Sequence, residues 1–214
     1  MPTFAQHWWV GWFLSGCFEN PTVAKGVYWG SVLPDVDVYL AFLFILLGRE
    51  PEAMKIHRGP THSLLCFALL AVCALTGIAP LFLMGFLFGM GVHVVLDFFF
   101  WLWFVDLFWP LRYWVSWAKP INLWDHVSRK TIETWGYYLE LVDHMLVAAF
   151  LTYQKERHPD TIVCQYGPTT MLALIPALMI AHRHMSVRYF FALTHGIFMV
   201  LQMPLFVWVS VQWV

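Results

Sequence analysis

His93 and Asp97 stand four residues apart in Gly-Val-His-Val-Val-Leu-Asp, inside a stretch (80–105) that is otherwise apolar. On a helix that spacing stacks both side chains on one face. Such a pair can hold a metal, or supply a histidine ligand with its orienting carboxylate; it can also be a hydrogen-bonded packing pair. Asp35 and Asp37 sit in Leu-Pro-Asp-Val-Asp, which offers two oxygen ligands beside a helix-breaking proline or, more simply, a solvated turn. His57 and His62 flank the Gly-Pro turn of His-Arg-Gly-Pro-Thr-His-Ser, and His7 lies in the first apolar segment. Ionisable groups in apolar segments are costly, and they are usually paired and functional. The candidate ligands are therefore His7, Asp35, Asp37, His57, His62, His93 and Asp97. Imidazole and carboxylate together suit zinc above all, with manganese or iron as alternatives. More than four ligands allow a two-metal site, the device that activates water and clamps a phosphoester. His62, His93 and Asp97 are expected to bind the metal with one of Asp35 and Asp37. The other carboxylate is left as a general base. Arg58, and with it Arg112, is placed to bind phosphate, although a loop arginine on the cytoplasmic side needs no such role.

Apolar helices have to position these groups. Of 214 residues, 60% are hydrophobic and only 12% charged, about half the charged share of a soluble domain. A mean hydropathy of +0.65 makes the bilayer the expected solvent. A spanning helix needs about 20 apolar residues. Residues 80–105 and 187–213 supply them, 136–153 and 167–182 are shorter, and 61–77 begins at Pro60-Thr61. Residues 22–48 are broken at Pro34, Asp35 and Asp37, and 4–18 is a short span or an interfacial segment. The expected fold is all-α, a polytopic membrane protein with six or seven transmembrane helices. Residues 1–214 form one membrane-embedded domain, with a metal-site half at 1–112 and further helices at 113–214. Gly26 and Gly30, and Gly85 and Gly89, are spaced for close helix contact. A formal net charge of -1 gives no reason to expect nucleic-acid binding, and no cleavable signal sequence is evident. The four cysteines form no CxxC pair, three lie in or beside apolar stretches, and they read as thiols buried in lipid-facing or core positions.

In order and spacing these motifs resemble the membrane-bound metal-dependent hydrolases, also described as LexA-binding, inner membrane-associated hydrolases. The resemblance rests on His7, Leu33 to Asp37, His57 to Ser63, Gly89 to Asp97, and Trp109-Pro110 followed by Arg112. It covers about half the chain, and the His-Arg-Gly-x-Thr-His-Ser run is its most specific part. The ligand order is more distantly similar to that of the zinc-dependent phospholipases C, helical enzymes that hydrolyse phosphodiesters. Two positions depart from the pattern. Val38 stands where the family usually has His, and Phe99 to Trp103 is apolar where it often has Thr-Pro. From Asn122 onward nothing matches, though Asp143-His144 offers one more candidate ligand pair.

The resemblance implies a hydrolase, and the positions of the ligands imply a lipid or lipid-linked phosphoester met at the cytoplasmic face of the inner membrane. The competing reading is a transporter or metal-handling protein that uses the same Asp and His groups. Such a protein should show inverted repeats or ligands from both halves of the chain, and neither is evident. A scaffold that keeps the motif without activity is a third reading. The drawn topology puts loops 49–60 and 106–135 and the 183–188 turn in the cytoplasm. Those stretches carry nine of the twelve basic residues, the expected positive-inside bias. Cysteines introduced at Glu52 and Asp160 should therefore label from opposite sides of the membrane; labelling from one side would overturn the layout.

Overall fold

Asn20 starts the helix that the rest of the site depends on. Its Oδ1 accepts from the backbone N–H groups of Thr22 and Val23 at 3.0 and 3.2 Å, and Pro21 occupies the first helical turn, where no N–H is needed. In this computed structural model, residues 4–49, 56, 59–100, 105–111, 129–157, 159–160 and 162–184 are described. Their regular elements are all helical. They comprise α1 (Phe4–Ser15), α2 (Pro21–Val32), α3 (Asp37–Leu46), α4 (Leu64–Leu75), α5 (Pro80–Phe100), α6 (Arg129–Arg157) and α7 (Ile162–His184), with 3₁₀ turns at Leu33–Val36 and Pro60–His62. Two compact units are formed, one from residues 1–126 with 209–214 and the other from 127–208.

In the first unit, Pro34 cannot donate to the carbonyl one turn back, so α2 ends at Val32 and a 3₁₀ turn carries the chain to α3. Ser63 caps α4, its Oγ accepting from Cys66 N–H at 3.2 Å. Gly77, with φ of 86°, closes α4 in the left-handed conformation. There the N–H groups of Gly77 and Ile78 satisfy the carbonyls of Ala74 and Cys73, and the chain turns directly into α5.

Helices α2 and α5 meet along a glycine seam. A Cβ on Gly26 would fall on the carbonyl of Phe82, and one on Gly30 on that of Phe86. From the other side, Gly85 and Gly89 lie against the carbonyls of Val23 and Val27. The partners advance together along both helices, so α2 and α5 run parallel. Helix α1 joins through Gly11 against Ser31, and through a 2.6 Å hydrogen bond from Trp8 Nε1 to Tyr28 Oη.

This unit buries polar groups beside the apolar Val27, Tyr28, Val32 and Met90. His7, Ser31, Asp35, His62, Ser63, His93 and Asp97 are inside. Leu64, Leu69, Val72 and Leu75 of α4, with Leu81, Met84, Phe88 and Val95 of α5, face outward. An apolar exterior around a polar centre suits lipid rather than water. Pro80–Phe98 is long and apolar enough to cross a membrane; Leu64–Leu75 and Cys164–Ile180 are apolar but shorter. Pro80–Phe98 is the one helix among the described residues that passes on both counts; the span expected at 187–213 lies outside the described residues, and six or seven spans are not shown. In the second unit α6 packs on α7, with Gly167 of α7 against Leu151 of α6 and Val147, Phe150, Cys164, Met171 and Leu178 buried.

The seam yields a direct test. Gly30→Ala or Gly85→Ala should each destabilise the protein by about 1–3 kcal/mol, since backbone rather than a movable side chain blocks the new methyl. Gly91→Ala should be tolerated, because its Cβ would meet only the Phe67 ring at 3.9 Å. Thermal unfolding in detergent reads both, and equal midpoints for all three variants would refute the seam.

Candidate metal centre

Four elements of the first unit bring five side chains together. Helix α1 supplies His7, the turn after α2 supplies Asp35, the turn before α4 supplies His62, and α5 supplies His93 and Asp97. All five are buried; the four other than Asp35 have no exposed surface. Asp35, His62, His93 and Asp97 each present one donor atom, and the four donors lie within 4.8 Å of one another.

Their hydrogen bonds decide which atoms face inward. His93 Nδ1 lies 2.7 Å from the Ser31 carbonyl. A carbonyl only accepts, so Nδ1 carries a proton, and in the neutral ring Nε2 then presents a lone pair to the centre. Thr61 Oγ1 donates to Asp37 Oδ2 at 2.6 Å and lies 3.0 Å from His62 Nδ1. Its single proton being given to Asp37, Thr61 accepts from His62 Nδ1–H, and His62 Nε2 also points inward unprotonated. The two Nε2 atoms are 3.0 Å apart. With both rings neutral and protonated on Nδ1, two lone pairs that close, beside two buried carboxylates, repel unless a proton or a metal ion lies among them.

Their separations suit a metal ion. His62 Nε2 is 3.2 Å from Asp97 Oδ2 and 3.7 Å from Asp35 Oδ1. His93 Nε2 is 3.5 Å from Asp35 Oδ1 and 3.7 Å from Asp97 Oδ2. A tetrahedral ion with bonds of about 2.0–2.1 Å sets its ligands about 3.3–3.4 Å apart. Two carboxylates and two neutral imidazoles would also balance a divalent charge, so the loaded centre could stay buried without a net charge. The residues present therefore fit a divalent metal.

His7 faces the other side of both carboxylates. Its Nε2 is 3.3 Å from Asp97 Oδ1 and 3.8 Å from Asp35 Oδ2, and its ring stacks on His93 with centroids 3.7 Å apart. Asp37, the second carboxylate of its motif, turns to Thr61 instead of joining the four donors. His57, Arg58 and Arg112 lie outside the described residues, as does the side chain of Asp143; His144 is buried within α6 of the second unit. Sequence reasoning passed over Thr61 and the Ser31 carbonyl. Thr61 was visible as a hydroxyl adjoining His62. The carbonyl was not, because it acts only through the register of α2 on α5.

Among the described residues, a helical first unit that turns apolar side chains outward and holds two His and two Asp inside defines the class: a membrane protein with an internal candidate metal site. The chain belongs to the YdjM inner membrane protein family, whose model matches residues 1–158 and so takes in all five converging residues. No curated protein and no solved structure matches it.

If the cluster holds an ion, chelator should lower the unfolding temperature of the wild type, and His93→Ala or Asp97→Ala should lose both the metal and that sensitivity. Elemental analysis with thermal melts checks this. Full metal content in alanine variants of His62, His93 and Asp97 would make the cluster a packing network.

Proposed function

We propose that this protein is a membrane-bound metal-dependent hydrolase that cleaves a phosphoester of a lipid or lipid-linked substrate at the cytoplasmic membrane interface. The observation that carries the reading is the convergence of four buried donors, at ion-sized separations, from elements far apart in the chain. Zinc is the expected metal, held by Asp35, His62, His93 and Asp97. His7 faces Asp97 Oδ1 and Asp35 Oδ2, whereas His62 and His93 face the other oxygen of each carboxylate, so His7 would join the two carboxylates in holding the second ion of a two-metal site. Divalent metal supplies Lewis acidity, activating water and drawing charge from the phosphoryl group. The chain's own residues fix the geometry. Asp35 and Asp97 present both oxygens, His62 and His93 are held by their Nδ1 partners, and Arg58 anchors the phosphate.

Several features support a membrane substrate. The family is an inner membrane one. Helices α2 and α5 run parallel, the direction that the positive-inside topology gives both segments. Asp35 follows α2, and Asp97 lies near the end of α5, so both fall toward the cytoplasmic side in that topology. The multi-span layout and the phosphoester chemistry are parts of this proposal.

Purified protein in detergent, loaded with zinc, should hydrolyse a chromogenic phosphodiester or a phospholipid in mixed micelles. Asp97→Ala should abolish that activity, and Arg58→Ala should raise KM with metal content unchanged. Zinc content should be two ions per chain and fall to one in His7→Ala; one ion in the wild type would make His7 a hydrogen-bond donor to Asp97. Zinc uptake into vesicles without any phosphoester cleavage would overturn the hydrolase in favour of transport.

A further inference from the structure

We propose that Thr61 and Asp37 are positioning residues, a hydrogen-bond relay that holds His62 in its metal-binding tautomer and thereby sets the affinity of the centre. The inference rests on the metal-binding reading above. Asp37 and His62 do not bond directly, since Asp37 Oδ2 and His62 Nδ1 are 3.8 Å apart. Thr61 bridges them. Its 2.6 Å contact to Asp37 falls in the range of a charge-assisted O–H···O⁻ bond, and its 3.0 Å contact to His62 is an ordinary hydrogen bond.

The relay matters because a neutral imidazole has two tautomers, and the wrong one has ready partners here. With its proton on Nε2, His62 would donate to Asp97 Oδ2 at 3.2 Å or to His93 Nε2 at 3.0 Å. That network would close the centre on itself and compete with a metal. It would also turn a bare Nδ1 toward a Thr61 oxygen whose proton is already committed to Asp37, setting two lone pairs against each other. The relay therefore penalises the closed network and favours the open one. Asp37 strengthens the bias, because a carboxylate accepting from Thr61 polarises that hydroxyl and, through it, the imidazole. Its place in the first turn of α3 puts that negative charge at the positive end of the helix dipole, which favours it. The relay gives Asp37 a different task from that of a general base, and the two tasks leave different kinetic signatures.

The test is zinc affinity, by competition with a chelator of known affinity, on full-length protein in detergent. Thr61→Val keeps the side-chain shape but cannot bridge; it should weaken zinc binding about 10–100-fold, the usual effect of removing a partner of a ligating histidine. Thr61→Ser, which restores the hydroxyl, should return affinity to near the wild-type value. Asp37→Asn should weaken binding in the same direction and recover its hydrolysis when zinc is raised to saturation. Wild-type affinity in Thr61→Val, or no recovery in Thr61→Ser, would overturn the relay. Loss of hydrolysis in Asp37→Asn at unchanged zinc affinity would overturn it too, returning Asp37 to the role of base. If Thr61→Val fails to fold, Asp37→Asn alone decides. A wild type that binds no zinc at all refutes the metal reading, an outcome distinct from all of these.

Discussion

Asp97 is fully buried on a helix whose sequence neighbours are Val, Leu and Phe, and a carboxylate there must be met by protons, cations or a metal. The desolvation penalty of one such ion is several kcal/mol even after relaxation. Asp35 adds a second carboxylate, so hydrogen bonds from neutral imidazoles leave two negative charges in a medium of low dielectric. The arrangement around them follows from that constraint. Three histidines close on the pair from three different elements, and the groups that hold His62 and His93 turn basic nitrogens rather than N–H groups inward. Lone-pair nitrogens facing carboxylates are unfavourable as a hydrogen-bonded packing motif and favourable as a cation site.

Such convergence requires helix register accurate to a fraction of an ångström, and lipid offers little hydrophobic force to produce it. The glycine seam does the work by shape. Four residues without a Cβ let two backbones approach until carbonyls touch the facing chain, and sliding by one residue would set a side chain against backbone. Beyond Gly89, the next turn of α5 brings His93 against the Ser31 carbonyl, and the turn after that brings Asp97 to the level of Asp35. The contacts that fix the fold are thus the contacts that fix the tautomer of His93. A single backbone carbonyl belongs both to the packed helix α2 and to the candidate metal site.

Much of this was legible from residue types and spacing. The i,i+4 period of His93 and Asp97 required a shared helix face, and Pro34 required a break in the segment that carries Asp35. The choice between Asp35 and Asp37 was not legible. Two residues span different angles in a 3₁₀ turn and in an α-helix, so which carboxylate turns inward depends on where the turn ends and α3 begins. The number of spans was obscured for a related reason. Hydropathy joins α2 and α3 into one apolar run, whereas the chain divides them. At 12 residues, α1, α2 and α4 are each about 18 Å long, well short of a hydrocarbon core of about 30 Å. Apolar composition identifies the solvent; it does not say how far each helix reaches.

Short helices and a buried centre belong together physically. A broken backbone needs protein to shield its polar groups from an apolar surrounding, and the 3₁₀ turn at Leu33–Val36 has Pro34 and Asp35 buried within the unit. The break exposes carbonyl and carboxylate oxygens toward the interior, which an unbroken helix would hold in its own ladder or turn toward lipid. The proline that denies the chain a continuous span therefore also creates the site. It ends α2 one residue past the Ser31 carbonyl that holds His93, aims Asp35 inward, and leaves Asp37 to open α3 within reach of Thr61. Restoring a regular helix through residues 33–36 would lengthen the apolar run, rotate both carboxylates out of place, and remove the polar interior that the three histidines require.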